Sequence, residues 1–159
     1  MSIMKFMVLA LAFLVSAFAA TTPEGMAFLA ANKLKEGVVS TASGLQYKVL
    51  KSGPEGGKTP LKTTKCLCHY RGTTIEGEEF DSSFKRGKPT GFAPNQVIKG
   101  WTEAMQMMKE GDHWELYIPS ELAYGDSQRS ALITPGAVLV FELELIEVQG
   151  PAAPVKAEL

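Results

Sequence analysis

Residues 97–112 read Val-Ile-Lys-Gly-Trp-Thr-Glu-Ala-Met-Gln-Met-Met-Lys-Glu-Gly-Asp, VIKGWTEAMQMMKEGD, and the fold turns on them because the hydrophobic period changes here. Trp101, Ala104, Met105 and Met108 recur at helical spacing, and Gly111 follows as the expected C-cap. On either side the period is two. Leu45, Tyr47 and Val49 alternate with Gln46 and Lys48, and Cys66, Cys68 and Tyr70 share one face of TKCLCHYRG. Trp114, Leu116 and Ile118 alternate in HWELYIPS, and Leu139, Phe141, Leu143 and Leu145 point one way in AVLVFELELIEV while Glu142 and Glu144 point the other. One short helix among antiparallel-type strands predicts an α+β domain. A tryptophan just after a glycine at the start of that helix has two readings. It plugs the end of the core, or it floors an apolar pocket open to solvent.

Working outward, Met26, Leu29, Ala30, Lys33 and Leu34 recur at helical spacing and Gly37 closes the segment, which predicts a helix over residues 23–36. Ser40–Gly44 reads as a linker, KSGPEGGKTP as a turn, and Glu76-Gly77 as a hairpin turn before a strand ending near Phe80-Asp81. FKRGKPTGFAP and ELAYGDSQRSALITPG read as irregular, and QGPAAPVKAEL as a Pro/Ala tail.

Lys+Arg and Asp+Glu balance at 16 against 17, so no field gathers nucleic acid and no basic stripe would follow a phosphate backbone. FMVLALAFLVSAFA, behind a short start with one lysine, has the length of a signal-peptide core. It is shorter than the ~20 residues of a membrane-spanning helix. Ala17-Phe18-Ala19 fits the small-x-small cleavage rule, placing the mature N-terminus at Ala20 with no stable membrane anchor after cleavage. Export permits disulfides, yet the two cysteines, Cys66 and Cys68, stand at i and i+2 of a strand. Their side chains then point the same way with Cα atoms roughly 6.5–7 Å apart, a poor disulfide geometry, and they read as two buried thiols, with a Cys-x-Cys metal or redox site as the alternative.

No Gly-x-Ser-x-Gly elbow, phosphate-binding glycine loop or zinc-type histidine pair occurs, and Glu78 and Glu79 fall on opposite faces of a strand. No metal and no cofactor is expected. What remains is chemistry that needs no nucleophile, together with aromatics at element boundaries: Tyr70, Phe80, Phe92, Trp101, Tyr124 and Phe141, with Asp81 beside Phe80.

HYRG, FDSS, GKP, VIKGW, ELAYG and VLVFELELIEV occur in the order and spacing of the FKBP family of peptidyl-prolyl cis–trans isomerases, which the chain resembles over residues 44–148. FLAANKLKEGVVSTASGLQYKVLKSG is similar to the exported macrophage infectivity potentiator (Mip) branch of that family. The resemblance implies a five-stranded antiparallel sheet wrapped around one short helix, preceded here by a short N-terminal helix. The domains are then 1–19 signal peptide, 20–43 helix and linker, 44–148 isomerase domain and 149–159 tail. Carried over by motif, it implies catalytic roles for Tyr70, Asp81, Ile98, Trp101, Tyr124 and Phe141 and binding roles for Phe80, Arg86, Phe92, Val97, Ala123 and Ile133. Trp101 would be the floor under a proline ring, and Ile98 N–H and the Tyr124 hydroxyl would hold substrate carbonyls.

The partners so implied are proline-containing peptides, unfolded protein chains and macrolide inhibitors of the rapamycin type. With only one short helix ahead of the domain, a monomer is expected. Thr90, Gln96 and Arg129 depart from residues common at the matching family positions and bear on substrate preference. The competing function is a secreted chaperone or host-interaction module that uses the same pocket for binding. The expected location is the secretory pathway, secreted or periplasmic. Lys156-Ala157-Glu158-Leu159 resembles an ER-retention signal with alanine for aspartate, which in a eukaryotic host points to the ER lumen.

Overall fold

In the computed structural model, which describes residues 20–155, the elements run in chain order α1 (Pro23–Asn32), β1 (Val38–Ser40), β2 (Gln46–Lys51), β3 (Cys66–Thr73), β4 (Glu79–Ser82), the single-turn α2 (Ser83–Arg86), β5 (Thr90–Phe92), α3 (Lys99–Met105), β6 (His113–Ile118) and β7 (Leu139–Val148). Short 3-10 turns at Pro94–Gln96 and Ser120–Leu122 precede α3 and follow β6. The expected signal segment and the Lys156–Leu159 tail lie outside the described residues. No helix among the described residues is long and apolar enough to cross a membrane.

Every strand pairing is antiparallel, in the order β1-β2-β6-β7-β3-β4, with β5 added to β3. β7 is the longest strand and lies between β6 and β3, with Leu116 opposite Phe141 and Tyr70 opposite Leu143. The period-two pattern puts Leu116, Ile118, Leu139, Leu143 and Leu145 on one face, where they meet Trp101, Ala104, Met105 and Met108 from α3 and its end. Burying each such aliphatic side chain contributes about 1.5–3 kcal/mol, so this shared layer dominates the stability. The glycine of VIKGW sets how close the helix comes. A Cβ at Gly100 would lie 2.7 Å from Ile118 Cγ2, so any larger residue would lift α3 off β6.

The structure departs from the sequence expectations in several places. The sheet has seven strands rather than five because two three-residue strands, β1 and β5, join it. β1 takes Val38–Ser40 from the expected helix-and-linker stretch. α1 stops at Asn32 and turns Gly25, Asn32 and Phe28, whose ring lies 6.2 Å from that of Tyr117, inward, whereas Met26, and Leu34 beyond its end, are 55% and 82% exposed. A polar contact decides that orientation, since Asn32 Nδ2 donates to Gln46 Oε1 at 3.0 Å and Gln46 Nε2 donates to the Leu29 carbonyl at 2.9 Å. Gly111 does not cap α3, whose C-cap is Gln106. It takes a φ of +86° in the turn before β6. Val49 is exposed although Leu45 is buried, and the register of β2 against β6 shifts just beyond it, between Val49 and Lys51. The Pro/Ala tail is pinned: Ala153 N–H donates to Thr59 O at 2.8 Å, and Ala152 bridges Pro60. The cysteines are free and buried, and burial pushes their thiols up, Cys66 to about 11 with help from the Glu110 charge and Cys68 to about 12.

Candidate active site

Trp101 sits in the first turn of α3 with its indole at the bottom of a cavity of about 620 Å³. Three rings stand on it nearly at right angles: Tyr70 from β3 at 5.2 Å and 74°, Phe92 from β5 at 5.5 Å and 82°, and Phe141 from β7 at 5.1 Å and 85°. Phe80 of β4 meets Phe141 edge-on at 5.5 Å and 84°. Edge-to-face packing suits the ring quadrupoles and leaves the walls upright rather than collapsed onto the floor. The glycine of HYRG makes room for it. A Cβ at Gly72 would lie 2.5 Å from Phe80 Cε2 and 2.6 Å from Phe141 Cε1.

Tyr70, Phe80, Asp81, Phe92, Val97, Ile98, Trp101, Tyr124, Ile133 and Phe141 all line the cavity, joined by Gln96, Arg129 and Ser130. Two expected binding residues, Arg86 and Ala123, do not. Ala123 ends the Ser120–Leu122 turn, its N–H bonded to the Ser120 carbonyl, and packs beside the core. Arg86 stands behind the wall. Its Nη1 donates to Asp81 Oδ1 at 2.5 Å, its Nη2 donates to the Tyr70 hydroxyl at 2.8 Å, and that hydroxyl donates to Asp81 Oδ2 at 2.6 Å. The Arg86 guanidinium also lies 5.5 Å from the Tyr70 ring centre. The expected irregular stretch after Ser82 delivers Arg86 there. Ser82 accepts the Lys85 N–H, the buried Ser83 hydroxyl accepts the Tyr70 N–H at 2.7 Å, and Gly87 ends the turn at φ +75°.

Burial pushes the Asp81 carboxyl up, but the hydrogen bonds from Tyr70 and Arg86 and the charge of Arg86 outweigh it, so the carboxyl is held below its ordinary value. Burial, followed by the bond to Asp81, pushes the Tyr70 phenol up. The carboxylate and the phenol are therefore spoken for by each other and by Arg86. Other donors of the lining are not, the buried Trp101 Nε1–H of the floor among them. Among the described residues, neither the backbone N–H of Ile98, the N-cap of α3, nor the Tyr124 hydroxyl has a hydrogen-bond partner.

Each donor is held by its own scaffold. Thr102 Oγ1 donates to the Pro94 carbonyl at 2.5 Å, and Gln96 Oε1 accepts the Ala93 N–H at 2.9 Å, fixing the approach to Ile98. Tyr124 lies on the loop from Ser120 to Gly136, and the N-terminal segment clasps that loop at both ends. Ser120 N–H donates to Thr21 Oγ1 at 3.0 Å, Thr21 Oγ1 donates to Glu121 Oε2 at 2.8 Å, and Thr22 N–H donates to Gly136 O at 3.0 Å. Of the departures noted in the sequence, Thr90 pairs with Cys68 in the sheet and stays out of the cavity, whereas Gln96 and Arg129 enter its lining. Gln96, Arg129 and Ser130 were visible in the sequence only as departures or loop residues.

Comparison with known proteins places this architecture in a defined class. The family described as FKBP-type peptidyl-prolyl cis-trans isomerase matches residues 56–146, and one described as the domain amino terminal to that isomerase matches residues 12–49. The chain belongs to the FKBP-type peptidyl-prolyl cis–trans isomerase family. It is 48% identical over 131 residues to the FKBP-type 22 kDa peptidyl-prolyl cis-trans isomerase of Escherichia coli, covering 82% of this chain and 63% of that protein. It is 47% identical over 123 residues to the peptidyl-prolyl cis-trans isomerase Mip of Coxiella burnetii, covering 77% and 53%. Among solved structures, a peptidyl-prolyl cis-trans isomerase from Pseudomonas syringae pv. tomato superposes with a TM-score of 0.73 at 38% identity, covering 80% of this chain and 92% of that one. The chain thus spans between about half and two-thirds of the length of these two curated relatives.

Proposed function

We propose that the protein is a peptidyl-prolyl cis–trans isomerase acting on exported chains, and that its aromatic box turns the Xaa-Pro bond without covalent chemistry. The observation that carries this reading is the pairing of an apolar floor and walls with two unpartnered donors, Ile98 N–H and Tyr124 O–H, on separately anchored elements. The uncatalysed flip crosses a barrier of ~18–20 kcal/mol and takes ~10–100 s. Twisting the amide removes its resonance and lowers the charge separation across the C–N bond. An apolar box therefore disfavours the planar amide more than the twisted one, which is differential binding of the kind that lowers a barrier. About 8 kcal/mol of such preference corresponds to a millionfold.

In this reading the proline ring rests on Trp101 between Tyr70, Phe92 and Phe141. Ile98 and Tyr124 fix the carbonyls on one side of the bond while the other side rotates. Asp81 holds Tyr70 upright and sets a negative charge beside the twisting carbonyl carbon, with Arg86 fixing the carboxylate from behind. Macrolides of the rapamycin type would occupy the same box. The signal-like segment and the Mip-type relatives support export, with a monomer as the working unit.

The test is the cis-to-trans rate of a short Leu-Pro peptide followed by a protease-coupled assay. Acceleration that rapamycin abolishes is expected. A folded sample that binds unfolded chains yet leaves the peptide rate unchanged would overturn the isomerase and leave a chaperone.

A further inference from the structure

Arg129 lines the cavity mouth, and its guanidinium lies 4.8 Å from the centre of the Tyr124 ring. The loop holds it in place. Arg129 N–H donates to the Ile133 carbonyl at 3.0 Å, and Ser130 Oγ accepts the N–H groups of Leu132 and Ile133 at 3.3 and 3.1 Å. Ile133, the other end of this turn, is buried in the core cluster. The cation therefore sits on an anchored turn, against the ring whose hydroxyl is one of the unpartnered donors.

Charge balance at the mouth singles it out. The cavity lining contains two charged residues, Asp81 and Arg129. Asp81 is matched by Arg86, whereas no carboxylate among the described residues makes an ion pair with Arg129, Asp126 of the same loop included. Nor does its guanidinium donate a hydrogen bond to any described residue. An arginine resting on an aromatic face keeps a planar fork of N–H donors suited to a carboxylate.

We infer that Arg129 is a specificity-determining residue that favours an acidic side chain next to the substrate proline. A peptide whose carbonyl is held by Tyr124 carries its neighbouring side chain past the guanidinium that rests on the same ring. The site is solvent-facing, so the preference is modest, roughly two- to fivefold by the behaviour of exposed ion pairs, and it weakens as salt screens the mouth. The inference rests on the isomerase reading above.

The experiment compares kcat/KM for two peptide pairs, Glu-Pro against Gln-Pro and Pro-Glu against Pro-Gln in otherwise identical sequences, at low and at high sodium chloride. The wild-type protein is expected to prefer glutamate over glutamine in at least one pair, by about two- to fivefold at low salt, with the ratio falling as salt rises. Arg129→Gln is expected to bring that ratio to one, and Arg129→Lys to keep part of it. The ratio is the readout, so a general loss of turnover from disturbing Tyr124 does not enter. A wild-type ratio of one in both pairs, or a ratio that Arg129→Gln leaves intact, would overturn the inference while the isomerase reading stood. No acceleration of any peptide would overturn both.

Discussion

Asp81 keeps a negative charge at the wall of an apolar box because Tyr70 and Arg86 hold both of its oxygens. A carboxyl depressed in the folded state contributes stability above its unfolded value, near 3.9 for aspartate, and loses it as the pH falls through the lower folded value. Isomerase rate and melting temperature should therefore stay level from neutral pH down to about 4, as far as Asp81 governs them, and fall only below that. Rate and circular-dichroism melts across that range check this, and a decline centred near pH 6 would assign control to another group. Tyr124 offers a cleaner separation of function from fold, since its hydroxyl has no partner among the described residues. Tyr124→Phe should lower kcat/KM by about two- to tenfold, the worth of one hydrogen bond, with the melting temperature held. A matching fall in melting temperature would mean that the hydroxyl serves the fold instead.

At the scale of elements, legibility followed the length of the hydrophobic period. α3, β6 and β7 were readable because Trp101, Ala104 and Met105, and likewise Leu139 to Leu145, bury one face each. The orientation of α1 was not, because Asn32 and Gln46 fix it through hydrogen bonds while Met26 faces solvent. α2 and β5 were too short to carry a period, and α2 exists through the caps at Ser82 and Gly87. The box itself was legible only through motifs in register, since its rings arrive from five elements spread between Tyr70 and Phe141. Gly72, which lets two of those rings meet, gave no signal beyond its place in HYRG. Gly72→Ala should push Phe80 and Phe141 into the cavity, costing about 1–3 kcal/mol as overpacking does and most of the rate on a Leu-Pro peptide. Thermal melts and the peptide assay together check it, and a stable, fully active variant would show that the rings yield elsewhere.

For the molecule as a whole, β7 is the shared support. Its inner residues belong to the core, Phe141 belongs to the box, and both flanking strands depend on it for pairing. Leu143 is fully buried there. Leu143→Ala should cost about 2–5 kcal/mol, lowering the melting temperature by roughly 4–20 °C for a chain of this size, and calorimetry would read it. A shift below about 2 °C would mean that the layer re-closes over the gap. Cys66 and Cys68 lie in the same layer, on β3, where β7 and β5 cover them from either side. A thiol so placed meets a water-soluble reagent only when the sheet comes apart, so the two sulfurs form a built-in clock of global opening. Trapping with an aromatic disulfide reagent should proceed at the unfolding rate of the native protein and at once, with two equivalents per chain, in denaturant. Rapid labelling of the native protein would mean that β3 opens on its own. Exposure of these thiols to oxidation therefore belongs to the interval before folding: once the sheet closes, thiol chemistry with neighbouring proteins stops.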